Sequence, residues 1–126
     1  MSTPKRPSCK CYPSPPGGIT ECQPGQIAVC GDDGSGVCRG SCIGLSTQLS
    51  ALNYAADLLS PILRKPISVN RLTRESYIFR PIITSLLGSS LYHQPVNFIF
   101  EGQVYAVSIG LPGIAKIKLE QALRQL

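Results

Sequence analysis

From Leu45 onward the apolar positions are spaced for helices and one hairpin. Leu45, Leu49, Leu52, Ala56, Leu59 and Leu63 recur at intervals of four and three residues, which puts them on one face of a helix. Ser46 is a suitable N-cap, because its hydroxyl can accept from a free amide of the first turn. Pro61 should end or kink this helix near Ser60. Between Leu72 and Leu91 the spacing of Ile82, Ile83, Leu86, Leu87 and Leu91 predicts a second helix. Pro81, which lacks a backbone donor, should kink or split it.

Residues 96–100 and 103–108 alternate in polarity around Glu101-Gly102, the pattern of a β-hairpin with a two-residue turn. Pairing Phe100 with Gln103 gathers Val96, Phe98, Phe100, Tyr105 and Val107 on one face. A lone hairpin is not stable in water, so that face needs a helix. Ala115, Leu119, Ala122 and Leu126 form the apolar stripe of one. Lys116, Glu120 and Arg124 fall on its solvent side at i, i+4 spacing.

Ahead of residue 45 the periodicity stops. Residues 26–30 and 37–39 are short strand candidates, with glycines and aspartates between them suited to a turn. Residues 13–18 are too rich in proline and glycine for helix or central strand, and residues 1–8 read as a polar tail. Asp32-Asp33-Gly34-Ser35-Gly36 has the look of a calcium loop but lacks the carboxylate such a loop needs at its end, so a tight turn is the better reading. Seven of the eight aromatic residues lie after residue 44, and all six cysteines lie before it. The core therefore belongs to residues 45–126. The expected architecture is α+β, a small helix–β-hairpin–helix domain at residues 45–126. An irregular cysteine-rich module at residues 1–44, cross-linked by metal or disulfides, precedes it.

Composition adds a charge bias. The net charge of +5 divides as four basic minus three acidic side chains up to residue 44, and eight minus four after it. Such a bias permits nucleic acid, an acidic protein or an anionic surface as partner. No apolar stretch follows the basic start, so no targeting segment is visible. The longest charge-free run, residues 81–100, is too polar to cross a bilayer as an integral membrane segment. These features imply a cytoplasmic setting, with secretion as the alternative if the cysteines form disulfides.

Cys9, Cys11, Cys22, Cys30, Cys38 and Cys42 must hold their segment together, since it has too few large apolar residues to fold by burial. Residues two apart in extended chain have Cα atoms roughly 6.5–7 Å apart, while a disulfide wants about 5.5–6 Å. Cys9 and Cys11 are thus poor mutual partners, and Cys38 and Cys42 suit two ligands of one metal across a helical turn better than one bond. A structural zinc site fits a reducing cytosol. A disulfide framework fits the even count and dense spacing, with many pairings open. An iron–sulfur cluster lacks its familiar spacings. Zinc bound by these six cysteines is the expected cofactor.

Catalytic signals are scarce. His93 is the single histidine, so no His–His pair can be built, and no Ser-His-Asp arrangement can be drawn from the side chains alone. It reads as a surface residue at a helix end, or as an added metal ligand. Asp57, Glu75, Glu101 and Glu120 are scattered, and residues 110–113 lack the ending of a phosphate loop. Arg64, Lys65, Arg71, Arg74 and Arg80, with Tyr77 and Phe79 among them, are the candidates for contact with nucleic acid or another partner. The expected function is a non-enzymatic, zinc-binding adaptor or interaction protein with a protein partner. The alternative is a secreted or surface disulfide-stapled binding protein, an effector or inhibitor.

Overall fold

The computed structural model describes residues 5–12, 18–32 and 37–126. The expected turn and calcium-like stretch at residues 33–36, the loop at 13–17 and residues 1–4 of the tail lie outside the described residues. The chain is α+β. Strands β1 (Ser8–Lys10), β2 (Ile19–Glu21), β3 (Ile27–Asp32) and β4 (Cys38–Ile43) come first. Helices α1 (Ala51–Leu63), α2 (Val69–Arg74) and α3 (Ser76–Tyr92) follow. Strands β5 (Val96–Phe100) and β6 (Gln103–Gly110) and helix α4 (Gly113–Gln125) complete the chain.

The hairpin forms in the expected register, with Phe98 opposite Tyr105 and Phe100 opposite Gln103. Glu101 and Gly102 both have positive φ (51° and 76°), as a primed hairpin turn requires. The segment ahead of residue 45, expected to be mostly irregular with short strands at 26–30 and 37–39, supplies four strands, of which β3 and β4 overlap those two. β1 and β2 pair as a two-stranded antiparallel ribbon. β3 and β4 join the hairpin in a four-stranded sheet of order β4-β3-β6-β5, antiparallel throughout.

β3 sits inside that sheet and is buried on both faces. Successive side chains of a strand point to opposite sides. Ile27 and Val29 enter the main core with the helices. Ala28 and Cys30 enter a second cluster with Cys9, Cys11 and Cys22. The molecule is therefore layered as helices, sheet, ribbon. Two glycines let the ribbon lie close. A Cβ on Gly40 of β4 would overlap the Thr20 side chain of β2, and a Cβ on Gly110 of β6 would overlap the Ser8 backbone of β1.

The helices form where the apolar stripes place them, with shifted ends. α1 starts at Ser50, whose hydroxyl accepts from the Asn53 amide. Ser46, the expected cap, instead accepts from Gln48 N at 3.2 Å in the preceding turn. Pro61 lies inside α1, which runs on to Leu63 and ends at Arg64 with φ 58°. Ser60 stitches this stretch: its hydroxyl donates to Ala56 O at 2.8 Å and accepts from Ile67 N at 2.9 Å. Desolvation of the buried Tyr54 raises its phenol pKa above the ordinary value. The expected break at Pro81 falls earlier, at Glu75 (φ −116°, ψ 40°), between α2 and α3. Pro81 lies within α3 on its exposed side, where one lost helical bond is tolerated most easily.

The hairpin is covered by α3 rather than by α4. Phe79 of α3 meets Phe100 with ring centroids 5.7 Å apart. α4 packs against α1 and α3, burying Ala115, Leu119 and Ala122. Phe98, half-buried, stacks on Tyr105 at 5.4 Å. The Tyr105 hydroxyl donates to Leu63 O at 3.0 Å and so ties β6 to the end of α1.

Candidate functional site

The six cysteines, expected as metal ligands, form three disulfides: Cys9–Cys30, Cys11–Cys38 and Cys22–Cys42. In sequence order the first pairs with the fourth, the second with the fifth and the third with the sixth. The zinc expectation is overturned, and with it the zinc-binding adaptor. The thiolates that a metal needs are consumed in S–S bonds. Among the described residues no group of three or more His, Cys, Asp or Glu side chains could hold a metal ion. As the spacing predicts, Cys9 does not pair with Cys11, nor Cys38 with Cys42. Cys38 and Cys42 lie on a strand, not on a helical turn, and share its ribbon-side face.

Register explains the pairing. Cys30 stands opposite Gly40, and glycine there leaves room for the ribbon to descend. Cys9 of β1 can then reach Cys30 of β3 with a Cα separation of 5.8 Å. The other two bonds, with Cα separations of 5.6 Å each, anchor both ends of the ribbon to the edge strand β4. Cys42 is exposed and Cys38 half-buried, whereas the other four are buried. Each bond closes a loop of 20 to 27 residues, worth about 3 kcal/mol in the loop-closure account. A cytoplasmic setting loses its support here, because disulfides persist in oxidising compartments. Among the described residues no helix is long and apolar enough to cross a membrane.

The five basic candidates do not form one surface of free cations. Arg71 contacts Glu75 and Glu101, each at 2.6 Å, and Lys65 also pairs with Glu101. Glu101, read as a plain turn residue, thus links the hairpin turn to the start of α2 and the end of α1. The Arg71 guanidinium lies over the Phe79 and Phe100 rings at 5.7 and 5.2 Å. Arg80 donates to Leu123 O at 3.0 Å near the end of α4. Arg64 caps α1, and Arg74 ends α2. Tyr77 is 73% exposed, while Phe79 belongs to the core.

Two adjoining clefts lie where the ribbon meets the ends of α3 and α4. The larger, about 470 Å³, is lined by Lys5, Arg6, Leu91, Pro112 and Lys116 among others. The smaller, about 230 Å³, is lined by Lys10, Tyr12 and Ile19. Ser8 and His93 line both. His93 caps α3 with φ 53° and is exposed, so it stands at a helix end. Sequence reasoning missed this place because its parts come from four separated segments. Comparison with protein-family models, with curated protein sequences and with solved structures gave no match.

Proposed function

We propose that this chain is a disulfide-stapled binding protein of an oxidising compartment, secreted or held at a surface, of the effector or inhibitor kind. The observation that carries the reading is the set of three disulfides that fasten the ribbon across the sheet. Such staples stabilise small extracellular folds and leave the surface free for recognition. A protein partner has the better support. For nucleic acid, cations must be available and aromatic faces open for stacking. Lys65 and Arg71 are engaged by carboxylates, and of the two aromatic candidates Phe79 belongs to the core, which leaves Tyr77 as a single open face. Arg74 and Arg80, exposed on α2 and α3, offer secondary contacts to an acidic partner.

The test is the state of the cysteines in the full chain produced in an oxidising compartment. Intact mass should fall six hydrogens below the fully reduced form, matching the six paired cysteines. Elemental analysis should find no stoichiometric zinc, and a chelator should leave the thermal transition unmoved. Free thiols with bound zinc would return the protein to the metal class.

A further inference from the structure

We infer that β5 is the interface through which two copies of this chain join, edge to edge, into one continuous sheet. This goes beyond the binding-protein reading and does not depend on it. The four-stranded sheet ends in β4 on one side and β5 on the other. An open edge strand is a template for another strand, and proteins protect such edges with charge, proline or a covering segment. β4 is protected: Arg39 is exposed on it, and two disulfides tie it to the ribbon. β5 reads Val-Asn-Phe-Ile-Phe, without a charged residue, and its Ile99 is 68% exposed. β6 and α3 are the elements packed against it, and α3 lies over one face, where Phe79 meets Phe100. The two-residue turn makes Phe100 and Gln103 a hydrogen-bonded pair. Bonded and non-bonded pairs alternate from there, so Phe98 and Val96 bond to β6, while the amides and carbonyls of Asn97 and Ile99 point away from it. The far part of β6 follows the same alternation. Ile109 N, beyond the reach of β5 but facing its side, is taken up by the Ser89 hydroxyl at 3.3 Å. Among the described residues no hydrogen bond takes up the Asn97 or Ile99 main chain.

That edge is complementary to itself, which selects a second copy as its occupant. Set antiparallel about a two-fold axis at Phe98, it pairs Asn97 of one copy with Ile99 of the other, and the reverse. Every outward amide and carbonyl of these residues then finds a partner. A slide of two residues towards Pro95 leaves the Ile99 carbonyl facing a residue with no donor. A slide the other way sets Asn97 against Glu101, which lies in the turn and is held by Lys65 and Arg71. The central, non-bonded pair brings the two Phe98 rings side by side, each already stacked on its own Tyr105 at 5.4 Å. Cross-strand aromatic pairs stabilise such a ladder. A foreign strand would gain the main-chain bonds without this matched pair. Charge points the same way. The chain carries +5, so its copies repel, and an uncharged strand lets them meet without setting like charges side by side.

The experiment is sedimentation velocity on the oxidised full chain over a concentration series. An interface this small is weak, so the dimer should dissociate with a constant on the order of 10–100 µM. Raising the salt should not loosen it, because no ion pair holds it. Ile99→Lys puts a charge on the open edge and should weaken dimerisation at least roughly tenfold. Val104 stands opposite Ile99 on β6, one strand in from the edge, and is 58% exposed. Val104→Lys should change dimerisation little, as should Ile117→Lys on α4, where Ile117 is 52% exposed. In the native chain, amide exchange followed by NMR should slow at Asn97 and Ile99 as concentration rises. It should stay as it is at Phe98, whose amide is already bonded to β6. Mass and thermal transition check that each variant keeps its disulfides and fold. A chain still monomeric at about 1 mM, or a dimer that leaves those two amides unslowed, overturns the assignment. So does a dimer that Ile99→Lys leaves intact, or that Val104→Lys or Ile117→Lys disrupts equally. Protection of the two amides that arises only when a foreign strand-forming peptide is added also overturns it, and gives the edge to a different partner.

Discussion

The two faces of β3 are built from different materials. One face, with Ile27 and Val29, is held by volume: large side chains from α1, α3, α4 and the hairpin fill the space against it. The other, with Ala28 and Cys30, is held by covalent bonds and close backbone approach. Its cluster contains four buried cysteines and one alanine, with Cys38 packed alongside. A three-residue strand such as β1 cannot bury enough apolar area to dock by the hydrophobic effect. A cystine supplies the attachment instead, by removing freedom from the unfolded chain. A small fold can thus cover the second face of a sheet without a second large core.

The sharpest way to break this comparison is to remove the covalently held layer altogether. A chain of residues 45–126 loses β3, β4 and the ribbon. β6 then loses the partner that pairs Ala28–Asp32 with residues 106–110, and the core loses Ile27 and Val29. Burial of those two side chains alone contributes about 1.5–3 kcal/mol each. Added to the lost ladder, that rivals the whole stability of about 5–15 kcal/mol typical of a domain. The truncated chain should show no cooperative thermal transition by circular dichroism. A persisting transition would establish residues 45–126 as an autonomous domain, as the composition shift near residue 44 suggests.

The next largest effect tests the face held by volume. Phe100 is 2% exposed and touches Phe79, so Phe100→Ala should cost about 3–5 kcal/mol. Phe98 keeps contact with solvent, and its truncation should cost less than that of Phe100. Asn97, exposed on the opposite side of β5, should tolerate alanine with little change. Denaturant titrations of the three variants read the order. If Asn97→Ala proved the costliest, the hairpin register would be wrong by one residue.

The helix-side face was legible because it is written locally. Stripes at helical spacing gave α1, α3 and α4, and a two-residue turn set the hairpin register. The element ends were less legible: Ser50 replaces Ser46 as cap, and Glu75 replaces Pro81 as break, because a proline costs little on an exposed helix side. The ribbon-side face was not legible, since its contacts are long-range. Nothing near Cys9 names Cys30 as its partner, and nothing near Tyr105 says that β3 lies beside β6. One signal was available: residues 27–30 are apolar without interruption, the mark of a strand buried on both faces. The local mark of the disulfides was the even count and dense spacing of the six cysteines. The two clefts beside the ribbon could not be read at all, because the residues that line them come together only once the sheet is assembled.

The face held by bonds should respond to chemistry rather than to volume. Cys9→Ala/Cys30→Ala removes the buried bond beneath β1 and should cost about 3 kcal/mol. Access should order the reduction of the native protein. Cys42 is exposed and Cys38 half-buried, so Cys22–Cys42 and Cys11–Cys38 should open before Cys9–Cys30, whose sulfurs are both buried. Alkylation of thiols during graded reduction, read by peptide mass, gives the order. Early loss of Cys9–Cys30 would mean that the ribbon opens as a unit instead of shielding that bond.

The smallest effect sharpens the comparison at two single atoms. Gly40→Ala and Gly110→Ala both place a Cβ where the ribbon lies, but against different neighbours. At Gly40 the added carbon meets the Thr20 side chain, and at Gly110 it meets the backbone of Ser8. A side chain can be removed and a backbone cannot. Each substitution should cost about 1–3 kcal/mol, the usual penalty of overpacking. Thr20→Gly should then restore part of the loss in Gly40→Ala, measured as a coupling energy in a double-mutant cycle. No side-chain change at Ser8 should rescue Gly110→Ala, because the clash there is with the Ser8 main chain itself. Equal rescue at both positions would show that the ribbon shifts freely on the sheet. Its close seating would then be a consequence of the disulfides alone, with no share for the two glycines.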